Sequence, residues 1–460
     1  MEWAIFLGFT FACIAWMGTT IRIVMHKRLD LVDWLVGTMG AFYGIGYAFI
    51  IWSTYSGMNS YWSRWIISYS TYFWAPPILS LIAVISVWTG AALARGSRKQ
   101  FRESAELTLR DLVGIKRLAW GLLFLGIFFY YLYAMAYGGF VGLLHYSDLI
   151  RSGSFDVIGI ENPFSFMQRL GGLAFFSSFL FYALILGKSM KGYSRLICFL
   201  GLAISVCFSF YVLYSWMGRV GIFTYFSVFP LAYMYHKNSH GYSIAIKLPM
   251  LVSVIAVGLP VLSSWMTPGK ASNDVIEFYA KGLSFPAVSL FSAIDNNHFR
   301  FFFDLVVAPL YMLPSRIWSG LLGIVPASGI NTELIFGYQK GEGGVTGSVP
   351  TDMITFGYMQ MDVVGVVITG ILVGAGLVWL ERFMLRIPGG ELRSVLYAYS
   401  ALMVATLTVL YADPLNIIQR NIHFIIGTAA LFILISRKRV TRGSMLRSVE
   451  NKDIEGKYDG

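Results

Sequence analysis

Leu196-Ile197-Cys198-Phe199-Leu200-Gly201-Leu202-Ala203-Ile204-Ser205-Val206-Cys207-Phe208-Ser209-Phe210-Tyr211-Val212-Leu213-Tyr214 runs without a charge, and its nearest charged neighbours are Arg195 and Arg219. A helix of roughly 20 apolar residues crosses the 30 Å hydrocarbon core of a bilayer, so this stretch reads as a membrane span. Working outward, similar runs occur at Leu170–Gly187, Leu118–Tyr137, Thr71–Leu93, Leu31–Ser53 and Trp3–Val24 on one side. On the other side lie Val220–Tyr235, Leu248–Trp265, Val363–Leu380, Val395–Tyr411 and Ile417–Ser436. The eleven candidate spans predict an all-α, polytopic membrane helical bundle, read as one integral membrane domain over residues 1–460. The first span is too long, and too lightly charged at its start, for a cleaved signal peptide.

Composition agrees. Hydrophobic residues make up 57% of the 460, and charged residues only 13%, against roughly 25% in an ordinary soluble domain. A water-soluble enzyme and a disordered chain are both excluded. Cys13, Cys198 and Cys207 all fall in apolar runs, so no disulfide framework is indicated.

The net charge of +11 would suggest a nucleic-acid partner in a soluble protein. In a membrane protein it sets topology, and no nucleic acid is expected here. The basic connections are His26-Lys27-Arg28, Arg95 to Arg117, Lys188 to Arg195, His236 to Lys247, Arg382 to Arg393 and the tail Arg437 to Lys457. With Arg22 they hold 25 of the 35 Lys and Arg. The positive-inside rule assigns them to the cytoplasm, which puts the N-terminus outside and the C-terminus, with its basic tail over 437–460, inside. The other ten are Arg64, Arg151, Arg169, Arg219, Lys270, Lys281, Arg300, Arg316, Lys340 and Arg420, all expected near the outer face. Charges kept against the topological bias need a reason, so the working surface is expected there.

Two outer connections are long: Gly138 to Arg169, and residues 266–362 between the eighth and ninth spans. In the second, Asp274 to Ile294 has loose helical spacing. Leu305 to Leu313 is short, apolar and broken by Pro309 and Pro314, the mark of an interfacial or re-entrant helix. Gly337, Gly341, Gly343, Gly344 and Gly347 then read as a mobile loop over a site. They form no phosphate-binding P-loop, since no Gly-Lys-Ser/Thr closes them.

The arginines carry the functional reading. Arg219 lies in the tight turn Met217-Gly218-Arg219-Val220-Gly221. Asp413-Pro414 has the form of an N-cap and first helical residue, so Arg420 falls about 10 Å inside the last span. A guanidinium at that depth is costly unless it meets a polar cavity or an anion. Guanidinium offers a planar, permanently charged fork suited to phosphate oxygens. The alternative is a structural pair, for instance of Arg420 with Asp413. Arg151 is a candidate phosphate or sugar contact, with a solvated loop charge as the alternative. Arg169 and Arg316 admit either phosphate binding or snorkelling to headgroups.

No zinc, DxD or Walker signature appears, so a reaction independent of metal and ATP, without a cofactor, is expected. Candidate bases are Asp274, Glu277, Asp295, His298, Asp304, Glu333, Asp352 and His423. Asp295-Asn296-Asn297-His298 suits sugar hydroxyls or a capped turn. Asp352 is a helix cap first and a base second.

Taken together, the spans, the late outer segment and the arginines resemble the Wzy-type O-antigen polymerases, which join oligosaccharide repeat units. The matching pieces are Gly138-Gly139 leading to Arg151, Gly218-Arg219, Leu313-Pro314-Ser315-Arg316-Ile317-Trp318, Gly347-Ser348-Val349-Pro350 through Phe356-Gly357 to Gly365, and Arg420. The resemblance covers roughly residues 138–436. It implies a GT-C-like, metal-independent glycosyltransferase of the bacterial inner membrane with a large periplasmic loop containing short helices. Such an enzyme moves a growing glycan from undecaprenyl pyrophosphate to a lipid-linked repeat unit, with a chain-length regulator as a further partner. It also implies leaving-group stabilisation by Arg219 and Arg420, help from Asp352 or His298, and substrate contacts at Arg151, Arg169, Arg316, Asp295 and Asn296. The alternatives are an O-antigen ligase, for which His298 is the histidine candidate in the loop, a lipid-linked oligosaccharide flippase, and a non-catalytic scaffold. The absence of a convincing repeat in the sequence weakens the transporter reading.

Overall fold

Each apolar run folds as a helix, because backbone groups leaving water must bond within their own segment. The computed structural model describes residues 2–59, 61–96, 107–152, 162–187, 192–216, 218–237, 241–266, 275–345 and 347–455. Its longer helices are α1 (Glu2–His26), α2 (Leu31–Tyr55), α3 (Ala75–Arg95), α4 (Leu109–Met135), α5 (Met167–Leu186), α6 (Tyr193–Ser215) and α7 (Arg219–Lys237). They continue with α8 (Gly241–Met266), α9 (Val275–Asn296), α10 (Ala327–Phe336), α11 (Met353–Leu385), α12 (Gly390–Leu410) and α13 (Pro414–Glu455). No strand occurs among the described residues. Nine of these helices, α1 to α6 and α11 to α13, are long and apolar enough to cross a membrane. The chain is an all-α, polytopic helical bundle. The two remaining expected spans are helices as well, α7 and α8.

The bundle has a near end, where α1 starts, and a far end, where it stops. At the far end buried charges tie four helices together. Asp30 and Asp33 form a capping box at the start of α2. Arg22 of α1 reaches both, at 3.1 and 2.8 Å, and Arg95 of α3 pairs with Asp30. Arg382 of α11 donates to the Arg95 carbonyl. Along the bundle α3 packs on α11 through glycines. A Cβ on Gly90 would collide with the Ile371 carbonyl, and one on Gly374 with that of Val87. Small residues let two helix backbones approach this closely.

The segment expected as an outer loop is largely folded. Val275–Asn296 is the helix its spacing predicts. Phe303–Val306 and Ala308–Met312 form short helical turns, and Val307, Tyr311, Trp318 and Ile324 dock on Leu415 and Ile418 of α13. The glycine-rich stretch is an exposed turn, closed by Gly341 N donating to Val345 O at 2.8 Å. Its base is fixed to α10, where the Thr332 hydroxyl accepts from Val349 N at 2.9 Å.

One feature departs from the expected ninth span at Val363. Helix starts ten residues earlier, at Met353, and breaks at Met361 and Asp362, where Asp362 has φ +55°. Gly357 then lies against Gly365 and Val366, which a continuous helix would hold about 12 Å apart. The chain therefore reverses, and Met353–Gln360, the first part of α11, is a short re-entrant helix folded back on the remainder, 363–385. Its cap, Asp352, accepts from the Tyr43 hydroxyl at 2.5 Å. Tyr43 is near the middle of α2, in its π-helical stretch Gly40–Gly46, so the re-entrant helix starts deep inside the bundle.

Candidate functional site

At the near end of the bundle Arg169 and Arg219 lie in the first turns of α5 and α7, and Arg420 lies about two turns into α13. Arg169 occupies the first turn of α5, and the two glycines after it bring that turn against its neighbours. A Cβ on Gly172 would stand 2.9 Å from His423 Nδ1 of α13, and one on Gly171 would strike the Tyr130 ring of α4. Arg169 is thereby carried between α4 and α13. Its Nη1 is buried and has no hydrogen-bond partner among the described residues.

One neutral donor shares this state. Gln419 precedes His423 by one turn, as Arg169 precedes Gly172, so the two side chains leave adjacent helices at the same level. Trp216, at the end of α6, lies edge-on to Phe175 at 6.0 Å, and Phe175 meets the His423 ring at 5.1 Å. Gln419 Nε2 is also buried without a partner among the described residues, whereas the Trp216 indole N–H faces the Tyr130 hydroxyl. A buried donor left unpaired costs about 1–3 kcal/mol. Two on one side of a bundle, one of them on a guanidinium, suit an oxygen-rich anion.

The other two arginines border this group. Arg219 opens α7, three residues after Trp216, and donates to the Ser263 hydroxyl of α8. Arg420, beside Gln419, is exposed, and its guanidinium lies 3.6 Å from the centre of the Tyr411 ring. The alternative of a pair with Asp413 is not what forms. That carboxylate accepts instead from Ser328 N at 2.9 Å and Leu415 N at 2.8 Å. His423 is buried. The Tyr399 hydroxyl lies 2.9 Å from Asn421 Oδ1 and 3.0 Å from His423 Nε2. With the single phenolic proton given to Asn421, Nε2 carries the histidine proton, which leaves Nδ1 as an acceptor facing Gly172.

Three carboxylates of the near half are fully buried, namely Asp304, Asp352 and Asp413. Each binds the start of a helix. Asp352 accepts from Ile354 N at 3.0 Å, Thr355 N at 3.2 Å and the Thr355 hydroxyl. Asp413 serves α13 and α10 together. Asp304 takes both Arg300 contacts, at 2.5 and 2.8 Å, with Ala327 N at 3.1 Å and Gln360 Nε2 at 3.3 Å. Burial, then the nearby Asp304 and Asp413, pushes the Tyr311 hydroxyl well above its ordinary pKa, so it stays a neutral donor, 3.5 Å from Asp304. Of the two roles open to Asp352, the geometry fills the cap.

The structure sets the remaining candidates elsewhere. Asp295, Asn296 and His298 are exposed at the end of α9, where Asp295 accepts from the Tyr72 hydroxyl at 3.1 Å and Asn296 donates to Ser292 O at 2.8 Å. Phe285 of the same helix packs on Tyr411, beneath Arg420. Ten residues separate Phe285 from Asp295, roughly 15 Å of helix, so this polar cluster is apart from the arginines. Arg316 is exposed on the turn Arg316–Leu321. Arg151 belongs to the helix Ser147–Ser152, with its side chain outside the described set, and Asp274 lies outside the described residues altogether.

Among the described residues no three His, Cys, Asp or Glu side chains gather as a metal-binding group. Comparison of the chain with protein families, with curated proteins and with solved structures finds no match.

Proposed function

We propose that this protein polymerises lipid-linked oligosaccharide repeat units at the outer face of a bacterial inner membrane. In this reading the growing glycan leaves undecaprenyl pyrophosphate and joins a hydroxyl of a second lipid-linked unit. The observation that carries it is the pair of buried donors on Arg169 and Gln419, flanked by Arg219 and Arg420. As the glycosidic bond breaks, negative charge grows on the leaving pyrophosphate, and fixed donors in a dry site stabilise it. The energy comes from the activated donor, so no nucleotide site is required. The basic connections at the far end favour the orientation that turns this set outward.

The placement of His298 at the distant end of α9 favours polymerase over ligase, because it removes the loop histidine from the arginine set. The decisive experiment supplies the purified chain with defined lipid-linked repeat units and no added metal. Polymer is the expected product. Single repeats alone, or transfer only to a lipid A-core acceptor, would overturn the reading. In cells, Arg219→Ala and Arg420→Ala should each abolish long glycan chains with expression intact. Normal ladders in both would exclude pyrophosphate binding by these arginines.

A further inference from the structure

Away from the near-end site, Arg110, Gly114, Arg117, Gly121 and Leu125 of α4 recur at helical spacing and so share one face. Ile426, Ala430 and Leu434 of α13 stand across from them, and a lateral groove of about 940 Å3 runs between the two helices. Its walls are apolar except at the far end, where α4 begins and both arginines are exposed. Their Cα atoms are two turns apart, about 10.5 Å. The floor is open at Gly121, where an added Cβ would meet nothing within 4 Å.

We propose that this groove binds an anionic glycerophospholipid, with an acyl chain lying along Gly121 and the headgroup phosphate held by Arg110 and Arg117. Hydrocarbon fills any lipid-facing groove whatever its headgroup, so the specific content here is charge selection. Guanidinium groups give charge-assisted hydrogen bonds to phosphate oxygens, and basic pockets between spans at the cytoplasmic side suit anionic headgroups. The inference uses only the span assignment and is independent of the glycan reading.

The test is native mass spectrometry of the full chain titrated with dioleoyl phosphatidylglycerol or dioleoyl phosphatidylcholine. The wild type should retain the anionic lipid roughly thirtyfold more tightly, as expected of two basic contacts of about 1 kcal/mol each. Arg110→Gln with Arg117→Gln should abolish that preference and leave phosphatidylcholine retention unchanged. Gly121→Leu, which fills the floor, should weaken retention of both lipids while both arginines remain. Equal retention by the wild type, or a preference that persists in the double variant, would overturn the proposal. So would undiminished binding by Gly121→Leu, which would assign the attraction to surface charge alone.

Discussion

Arg169 and Arg420 carry the same charge into different surroundings. Arg169 is held inside by two glycines with one guanidinium nitrogen unpaired, whereas Arg420 lies in the open over an aromatic ring. Arg169→Gln should therefore leave folding intact and slow chain extension by about 10²–10³, the usual effect of removing one stabilising donor. The rate on defined lipid-linked repeats checks this. Arg169→Lys should restore only part of the loss, since the fork geometry is gone. Tyr411→Leu removes a cation–π contact of about 0.5–2 kcal/mol, so it should shorten glycan ladders less than Arg420→Ala does. Sequence alone singles out the arginines because charge in an apolar run is conspicuous. Gln419 escapes it, reading as an ordinary polar residue until burial shows its donor unpaired. The role of Asp304 is hidden for a related reason, since four of its partners come from Arg300, Ala327, Tyr311 and Gln360, scattered over nearly 60 positions.

At the level of elements, the long helices are legible because an uncharged run of about 20 residues has few other folds. The re-entrant helix is not, since eight residues are too few for a span and Asp362 reads as the edge of the next span rather than as a reversal. Only Gly357 and Gly365 hint at it, and their meaning depends on a contact across the reversal. Gly365→Ala would press its Cβ into the Gly357 carbonyl and should cost about 1–3 kcal/mol as overpacking, seen as a lower unfolding temperature in detergent. Gly376→Ala, where a Cβ meets nothing within 4 Å, is the control and should unfold no earlier than the wild type. Asp413→Ala removes the caps of α10 and α13 together, and a loss of about 1–2 kcal/mol is expected. Asp413→Asn, which keeps an acceptor oxygen, should recover much of it.

For the molecule as a whole, the segregation of basic residues predicts the side of each connection. A reporter fused near Lys340 should read as external and one after Arg439 as cytoplasmic; the reverse would invert the assignment of the arginine set. The buried caps also impose an order on biosynthesis. Ser328 N waits for Asp413, and Thr351 O for Ala412 N, residues made more than sixty positions later. Tyr43, by contrast, is inserted some three hundred residues before its partner Asp352 emerges. With the basic connections cytoplasmic, the segment 275–352 would cross the membrane before its seat exists and be completed only when the last span arrives. A nascent chain stalled before Pro414 should expose that segment to protease, while release of the full chain should protect it.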